Sequence, residues 1–352
     1  GEIDKDEIDQ VEARLASTAG TCAVMGTAST MAIIAEVLGM SLPGTAAIPA
    51  VAAERLVAAE ESGKAAVSML SNPIKPSEII TEKSVENALR VLMAVSGSTN
   101  AVLHLAAVAG RRGIQISDSR LNDISEETPV LVDLKPVGKG YMEDFHAAGG
   151  VGGVLRELKS LLHLDTMNIL GQTLEDRLSE PLEWVDREVI RSFDDPISPQ
   201  GGLIALSGNI APQGAIFKRA AATLSLFESE GRAVVFENLE DLANRIDDPE
   251  LDITEGDIMV LKNAGPVAAG MPEAGYLPIP KKLARAGVKD IVRISDARMS
   301  GTAFGTIVLH IAPETARGGP LASVQTGDRI RLSVKEKSID CLLYTSDAAD
   351  EE

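Results

Sequence analysis

Apolar residues recur at helical spacing through the first half of the chain and at alternating spacing through much of the second. Ile8, Val11 and Leu15 form one stripe within residues 4–16, and Met31, Ile34, Ala35 and Leu38 form another within 27–38, where Gly39 closes the helix. Further helices are predicted over 50–68, with Leu56, Val57 and Val67 as its larger apolar residues, and over 84–94 and 98–109, the last with Ser98 in the N-cap position. A short strand is predicted over 129–133. Residues 142–162 read as an acidic turn passing through Gly149 and Gly150 into a helix. The stretch 184–200, with Pro181, Pro196 and Pro199 around it, reads as a linker.

Beyond it short strands alternate with turns, over 203–206, 215–218, 233–237, 257–262, 290–294, 306–311 and 329–334. Helices at 239–246 and before Gly287 interrupt them. The prediction is an α/β protein: a helix-rich α/β N-terminal domain over 1–185, and a smaller β-barrel-like C-terminal domain over 186–340.

Composition narrows the class. The 352 residues are 45% hydrophobic, enough for two ordinary cores. Lys and Arg number 33 against 52 Asp and Glu, a net charge of −19 that argues against nucleic acid or an anionic membrane as partner. The uncharged runs at 17–35 and 37–53 carry Gly, Ser, Thr and Pro, so neither reads as a membrane span. With Cys22 and Cys341 alone there is no disulfide framework, and a reducing, cytoplasmic setting is expected.

Candidate chemistry gathers on two glycine-bounded turns, MPEAG at 271–275 and ISDARMSGT at 294–302. They hold the carboxylate of Glu273 and the hydroxyls of Ser300 and Thr302. Read alone, Glu273 is a solvated turn carboxylate and the SGT run a turn or cap. Cys22, in a Gly/Thr-rich loop, reads equally as a small buried hydrophobe. Ser98, Thr99 and Asn100 could bind an anion at a helix start or simply cap it. His104 reads as a satisfied, partly buried histidine, and His146, His163 and His310 share no metal-ligand spacing with it. Arg298 reads as an ion-pair residue.

These turns resemble the dihydroxy-acid and sugar-acid dehydratase family. GTCAVMGTASTM at 20–31, LGMSLPG at 38–44, GSTNAVLH at 97–104, MEDF at 142–145, GN at 208–209, NAGP at 263–266 and GGPL at 318–321 follow in the family's order. MGTASTM at 25–31 and MPEAGY at 271–276 look most like its sugar-acid branch, which takes aldonates such as arabinonate or xylonate. Val151-Gly152-Gly153 departs from the larger apolar residues usual after the glycine pair.

The resemblance implies a hydro-lyase that dehydrates an aldonate to a 2-keto-3-deoxy acid. The alternatives are dihydroxy-acid dehydration in branched-chain amino-acid synthesis and, in another class, an inert scaffold. It implies an iron–sulfur cluster, 2Fe-2S, with Cys22 as one of three thiolate ligands, and Mg²⁺ with Glu273 as one ligand. Ser300 would be the base that takes the C2 proton, acting as an alkoxide, and Thr302 would orient the substrate or help the proton leave. It also implies a swivelling C-terminal domain and a homodimer or homotetramer. The chain opens where the family is already well inside its first domain, so the remaining ligands are expected upstream and the chain alone is expected to be inactive. Residues 341–352 break from the family pattern, match a translated sequencing adapter, and are expected to be a non-native tail.

Overall fold

The computed structural model describes residues 4–12, 20–182, 184–270, 277–300 and 304–342. Its first part is helical: α1 (Lys5–Glu12), α2 (Thr27–Val37), α3 (Ala53–Ser68), α4 (Pro76–Ile79), α5 (Glu82–Ala94), α6 (Thr99–Gly110), α7 (Asp118–Glu127), α8 (Met142–Ala147), α9 (Gly150–Glu157) and α10 (Leu174–Ser179). The helix α5 is the centre of this part. Its start is a reciprocal cap, Ser84 N donating to Thr81 Oγ1 at 3.2 Å and Thr81 N to Ser84 Oγ at 2.9 Å. From Val85 to Ala94 most of its side chains are buried, so its neighbours α2, α6, α7 and α9 wrap it from all sides.

The helix α3 forms where expected but buries none of its side chains; Leu56, Val57 and Val67 face solvent. The expected N-terminal α/β character is corrected here. Among the described residues the strand predicted at 129–133 makes only isolated bridges, Val130 with Ser198 and Val132 with Ile190. Those bridges also revise the linker. Ile190 is fully buried in the helical core, so the stretch at 184–200 is a strap packed on the N-terminal part rather than a free connection.

The second part is a closed barrel in the order β1-β2-β6-β5-β4-β3-β7-β8. Its strands are β1 (Ile204–Gly208), β2 (Ala211–Phe217), β3 (Glu228–Phe236), β4 (Ile258–Leu261), β5 (Arg293–Ser295), β6 (Ile307–Leu309), β7 (Arg329–Ser333) and β8 (Ser338–Leu342), with α11 (Leu239–Arg245), α12 (Pro266–Ala269) and α13 (Lys281–Arg285) in the crossovers. Parallel pairs β3–β4, β4–β5 and β5–β6 sit beside antiparallel β1–β2, β2–β6, β3–β7 and β7–β8.

The strand β8 runs into the first two residues of the expected tail. Cys341 and Leu342 pair with Ile330 and Arg329, and Asn209 brackets Cys341, accepting from its N–H and donating to its carbonyl at 2.7 Å each. Residues 343–352 lie outside the described residues.

Side-chain alternation divides the barrel strands between different cores. Ile204, Leu206, Ala215 and Phe217 point into the barrel, whereas Leu203, Ala205 and Ile216 point out into the helical core. On the opposite wall Val234, Phe236, Met259, Leu261, Ile307 and Leu309 point out against α11 and α13. The β1–β2 hairpin is thus the shared wall of barrel and helical part. Polar clamps fix it: Asn122 on α7 exchanges two hydrogen bonds with the Ala205 backbone at 2.9 and 3.0 Å, and Ser125 donates to the Leu203 carbonyl at 2.6 Å.

Candidate active site

At one end of this shared wall the starts of α2 and α6 meet the loop that follows β5. Gly97 allows the approach, since a Cβ there would sit 2.6 Å from both Leu92 Cδ1 and Thr30 Cγ2. Ser98 caps α6, its Oγ accepting from Asn100 N at 3.2 Å, and that same Oγ lies 2.8 Å from Thr27 Oγ1. Ser98 N donates to Thr30 Oγ1 at 3.1 Å, which in turn donates to the Gly26 carbonyl at 2.7 Å. Fully buried Asn100 completes the lock. Its Nδ2 donates to Thr27 Oγ1 at 3.1 Å and, across the seam, to the Met299 carbonyl at 2.8 Å.

The loop carrying Met299 is fixed at its root. Ser295 Oγ donates to the Leu261 carbonyl at 2.8 Å and accepts from Ala297 N at 3.0 Å. The buried carboxylate of Asp296 accepts from Ala264 N at 3.0 Å and Thr315 N at 2.9 Å, tying the turn at 263–266 to the same loop. Arg298 and Met299 are buried and Ser300 is half-buried, one residue beyond the carbonyl that Asn100 holds. Glu273 and Thr302 lie outside the described residues.

His310, which shares no metal-ligand spacing with the other histidines, faces the same loop. Its backbone N–H donates to the Ala297 carbonyl at 3.2 Å, and its φ is +57°. Its Nε2 is buried with no hydrogen-bond partner among the described residues. Burial first, then the charges of Arg298 and His104, push its pKa down to about 4, so the ring is neutral at pH 7.

Cys22 is exposed rather than buried. It lines a cavity of about 550 Å³ shared with Ser29, Arg55, Met142 and Glu143. The loop before α2 is held by Met142 N donating to the Ala23 carbonyl at 2.7 Å and Met25 N to the Lys135 carbonyl at 2.9 Å. The far wall hangs on buried Glu36, which accepts from Gly44 N at 2.9 Å and Ala46 N at 2.8 Å and pairs with Arg177. Cys22 and Ser29 line this cavity, while Thr27, in the same first turn of α2 as Ser29, reaches Asn100; the Cys22 cavity and the Ser300 loop therefore flank one helix start.

Among the described residues no group of three or more His, Cys, Asp and Glu side chains is placed to hold a metal ion. Cys22 offers one open thiol, which fits a single ligand position and no more, since a cluster needs several thiolates. No helix among the described residues is long and apolar enough to cross a membrane.

Comparison with known proteins gives the arrangement its context. Residues 1–177 match the family described as Dihydroxy-acid/6-phosphogluconate dehydratase N-terminal, and 188–351 match its C-terminal counterpart. The chain is similar to an L-arabinonate dehydratase of Rhizobium leguminosarum bv. trifolii, 46% identical over 100% of this chain and 60% of that protein. It is similar also to an L-arabonate dehydratase of Azospirillum brasilense, 49% identical over 94% of this chain and 58% of that protein. A dihydroxy-acid dehydratase of Acetivibrio thermocellus is 39% identical over 97% of this chain and 61% of that protein. The chain thus spans about 60% of the length of the relatives it matches. With both of its parts matched in order, the chain belongs to the dihydroxy-acid/6-phosphogluconate dehydratase family.

Proposed function

We propose that this chain carries the proton-abstracting half of a hydro-lyase that removes water from an aldonate to give a 2-keto-3-deoxy acid. The observation that carries the reading is the Asn100–Met299 hydrogen bond, which fixes the backbone ahead of Ser300 at the seam of two lobes. The names of the 46% and 49% identical relatives supply the substrate class.

In this reading Ser300 takes the proton from C2 of the substrate, hydroxide leaves C3, and the enol product tautomerises to the keto acid. A serine hydroxyl is a feeble base in water, so Ser300 would act as its alkoxide, which a metal ion or a loop of N–H groups would have to favour by lowering its pKa, and its position would supply the rest of its competence. The Met299 carbonyl is held and the Met299 side chain is fully buried, leaving Ser300 little freedom to drift from the reacting carbon. Thr302 orients the substrate hydroxyl. Cys22 is one thiolate donor to an iron–sulfur cluster, 2Fe-2S, and Glu273 one carboxylate donor to Mg²⁺. Such groups would supply Lewis acidity for the departing hydroxide and the developing enolate.

The barrel acts as a swivelling lobe, with the Asn100–Met299 bond as a contact that its motion would break. The assembled enzyme is a cytoplasmic homodimer or homotetramer. The test is a substrate panel on the metal-loaded enzyme, with L-arabinonate, D-xylonate and a branched 2,3-dihydroxy acid, followed by detection of the 2-keto product. The reading expects turnover of an aldonate and its loss in Ser300→Ala. Preference for the branched acid would move the assignment to the dihydroxy-acid branch, and undiminished turnover in Ser300→Ala would remove the proposed base.

A further inference from the structure

The end of β2 carries a lysine that the proposed chemistry leaves unused. Lys218 is 6% exposed, and its Nζ has no hydrogen-bond partner among the described residues. It is not among the ion pairs of the described residues, although Arg219 beside it bonds Glu126, Ser125, Gln200 and the Gly201 carbonyl. An ammonium taken out of water without a counter-charge costs several kcal/mol, so a position that keeps one calls for an anion that arrives later. Burial pulls its pKa down to about 8, which leaves it mostly protonated at pH 7.

Strand alternation gives the direction of the side chain. Ala215 and Phe217 point into the barrel and Ile216 into the helical core. Lys218, the first residue beyond the strand at φ −91° and ψ 87°, follows Ile216 on the face turned toward the helices. Its surroundings belong to the Ser300 seam on two sides. One step beyond the Ile204–Phe217 pair the register sets it opposite Leu203, next to Gly202, where a Cβ would lie 2.5 Å from Ser96 Oγ.

Ser96 has φ +48° and a buried Oγ without a hydrogen-bond partner among the described residues, and four residues on is Asn100, which holds Met299. On the other side the segment that Lys218 opens runs along the far end of the Ser300 loop. Gly305 N donates to the Ala221 carbonyl at 3.1 Å, and Thr223 N to Thr306 Oγ1 at 3.1 Å. Residues 96–100 and 202–203 on one side and 305–306 on the other therefore frame the surroundings of the lysine.

We propose that Lys218 is a substrate-anchoring residue whose ammonium receives the carboxylate of the sugar acid, with the Ser96 hydroxyl as a second donor from the helical side. The inference rests on the aldonate reading, because the carboxylate is the permanent anion of that substrate class. It assigns the barrel a binding task beside the base it already carries.

The experiment compares wild-type holoenzyme with Lys218→Met and Lys218→Arg by kinetics and by calorimetric binding of L-arabinonate and its uncharged amide. Lys218→Met is expected to weaken L-arabinonate binding and raise KM about 100-fold, while kcat changes less than tenfold, amide binding is unchanged and the melting temperature does not fall. Wild-type KM is expected to rise about tenfold per pH unit above pH 8 as the ammonium is lost, and Lys218→Arg to flatten that rise. A KM within twofold of wild type in Lys218→Met, or a fall in kcat at constant KM, overturns the proposal. Should that variant not fold, a wild-type KM that is flat from pH 7 to 9.5 overturns it equally. Calorimetry reports on Lys218 whether or not turnover occurs, and a wild-type enzyme that binds L-arabinonate without dehydrating it counts against the aldonate reading alone.

Discussion

The barrel interior and the seam beside it are equally buried and chemically opposite. The interior, from Ile204 and Phe217 round to Val308, Ile330 and Leu332, is a continuous apolar cluster. The seam buries the Oγ of Ser96, the Nζ of Lys218 and the Nε2 of His310, none with a hydrogen-bond partner among the described residues. Apolar burial accounts for a fold on its own, whereas buried polar groups without full satisfaction cost stability. They gather at the end of the shared wall where the chemistry is proposed, and substitutions on the two sides should fail in different ways.

The largest effect is expected at Ser300. Ser300→Ala should lower kcat on the aldonate by about 10³-fold, within the range for loss of a general base, with little change in melting temperature. Steady-state kinetics beside a thermal melt checks both halves, and a large loss of stability would make Ser300 structural.

Leu332→Ala, on the interior side, reverses the pattern. Leu332 is fully buried in the barrel core, so truncation should cost about 2–5 kcal/mol in urea unfolding while kcat and KM of the folded enzyme at low temperature stay near wild type.

Asn100→Ala sits between the two. It removes the hold on the Met299 carbonyl and frees the backbone ahead of Ser300, so kcat should fall by roughly 10²-fold and stability by about 1–3 kcal/mol. Equal kcat in Asn100→Ala and wild type would mean the lock serves the fold alone.

Much of this division could be read from apolar spacing. The helices α2, α5 and α6 and seven of the strands, β1 to β7, follow from period and turn residues, because each packs one face or both on a core. The strap at 184–200 could not be read, since prolines mark a loop but not what the loop packs against; Ile190 in the helical core settles that. The strand β8 was lost for a different reason. Its last residues, Cys341 and Leu342, fell inside a stretch set aside as foreign, although pairing with β7 shows them in the barrel.

The proposed site residues divide the same way. Cys22 and Ser300 stand out as motif positions in the sequence, and Glu273 and Thr302 lie outside the described residues. Lys218 and His310 gave no signal, because the direction of a lone lysine or histidine at a strand end depends on which wall the strand joins. A faint clue was present at Lys218: it ends a run, Ala215-Ile216-Phe217, whose uninterrupted apolarity implies burial on both faces.

The smallest expected effect concerns acid stability and tests whether His310 belongs with the costly side of the comparison. Its folded pKa is about 4, below the 6.5 of an ordinary histidine. Above pH 6.5 the ring is neutral in both states and contributes no pH dependence. Between pH 6.5 and 4 the unfolded chain takes up a proton that the buried ring refuses, so stability falls as pH falls. At pH 5 the loss should be on the order of 2 kcal/mol relative to pH 7. His310→Asn keeps a residue that tolerates φ near +57° and removes the titrating ring. Urea midpoints at pH 7 and pH 5 should therefore separate less in this variant than in wild type. If the separation is unchanged, the histidine is protonated as readily in the folded protein as in water, and the seam at that point is wetter than the burial of its Nε2 implies.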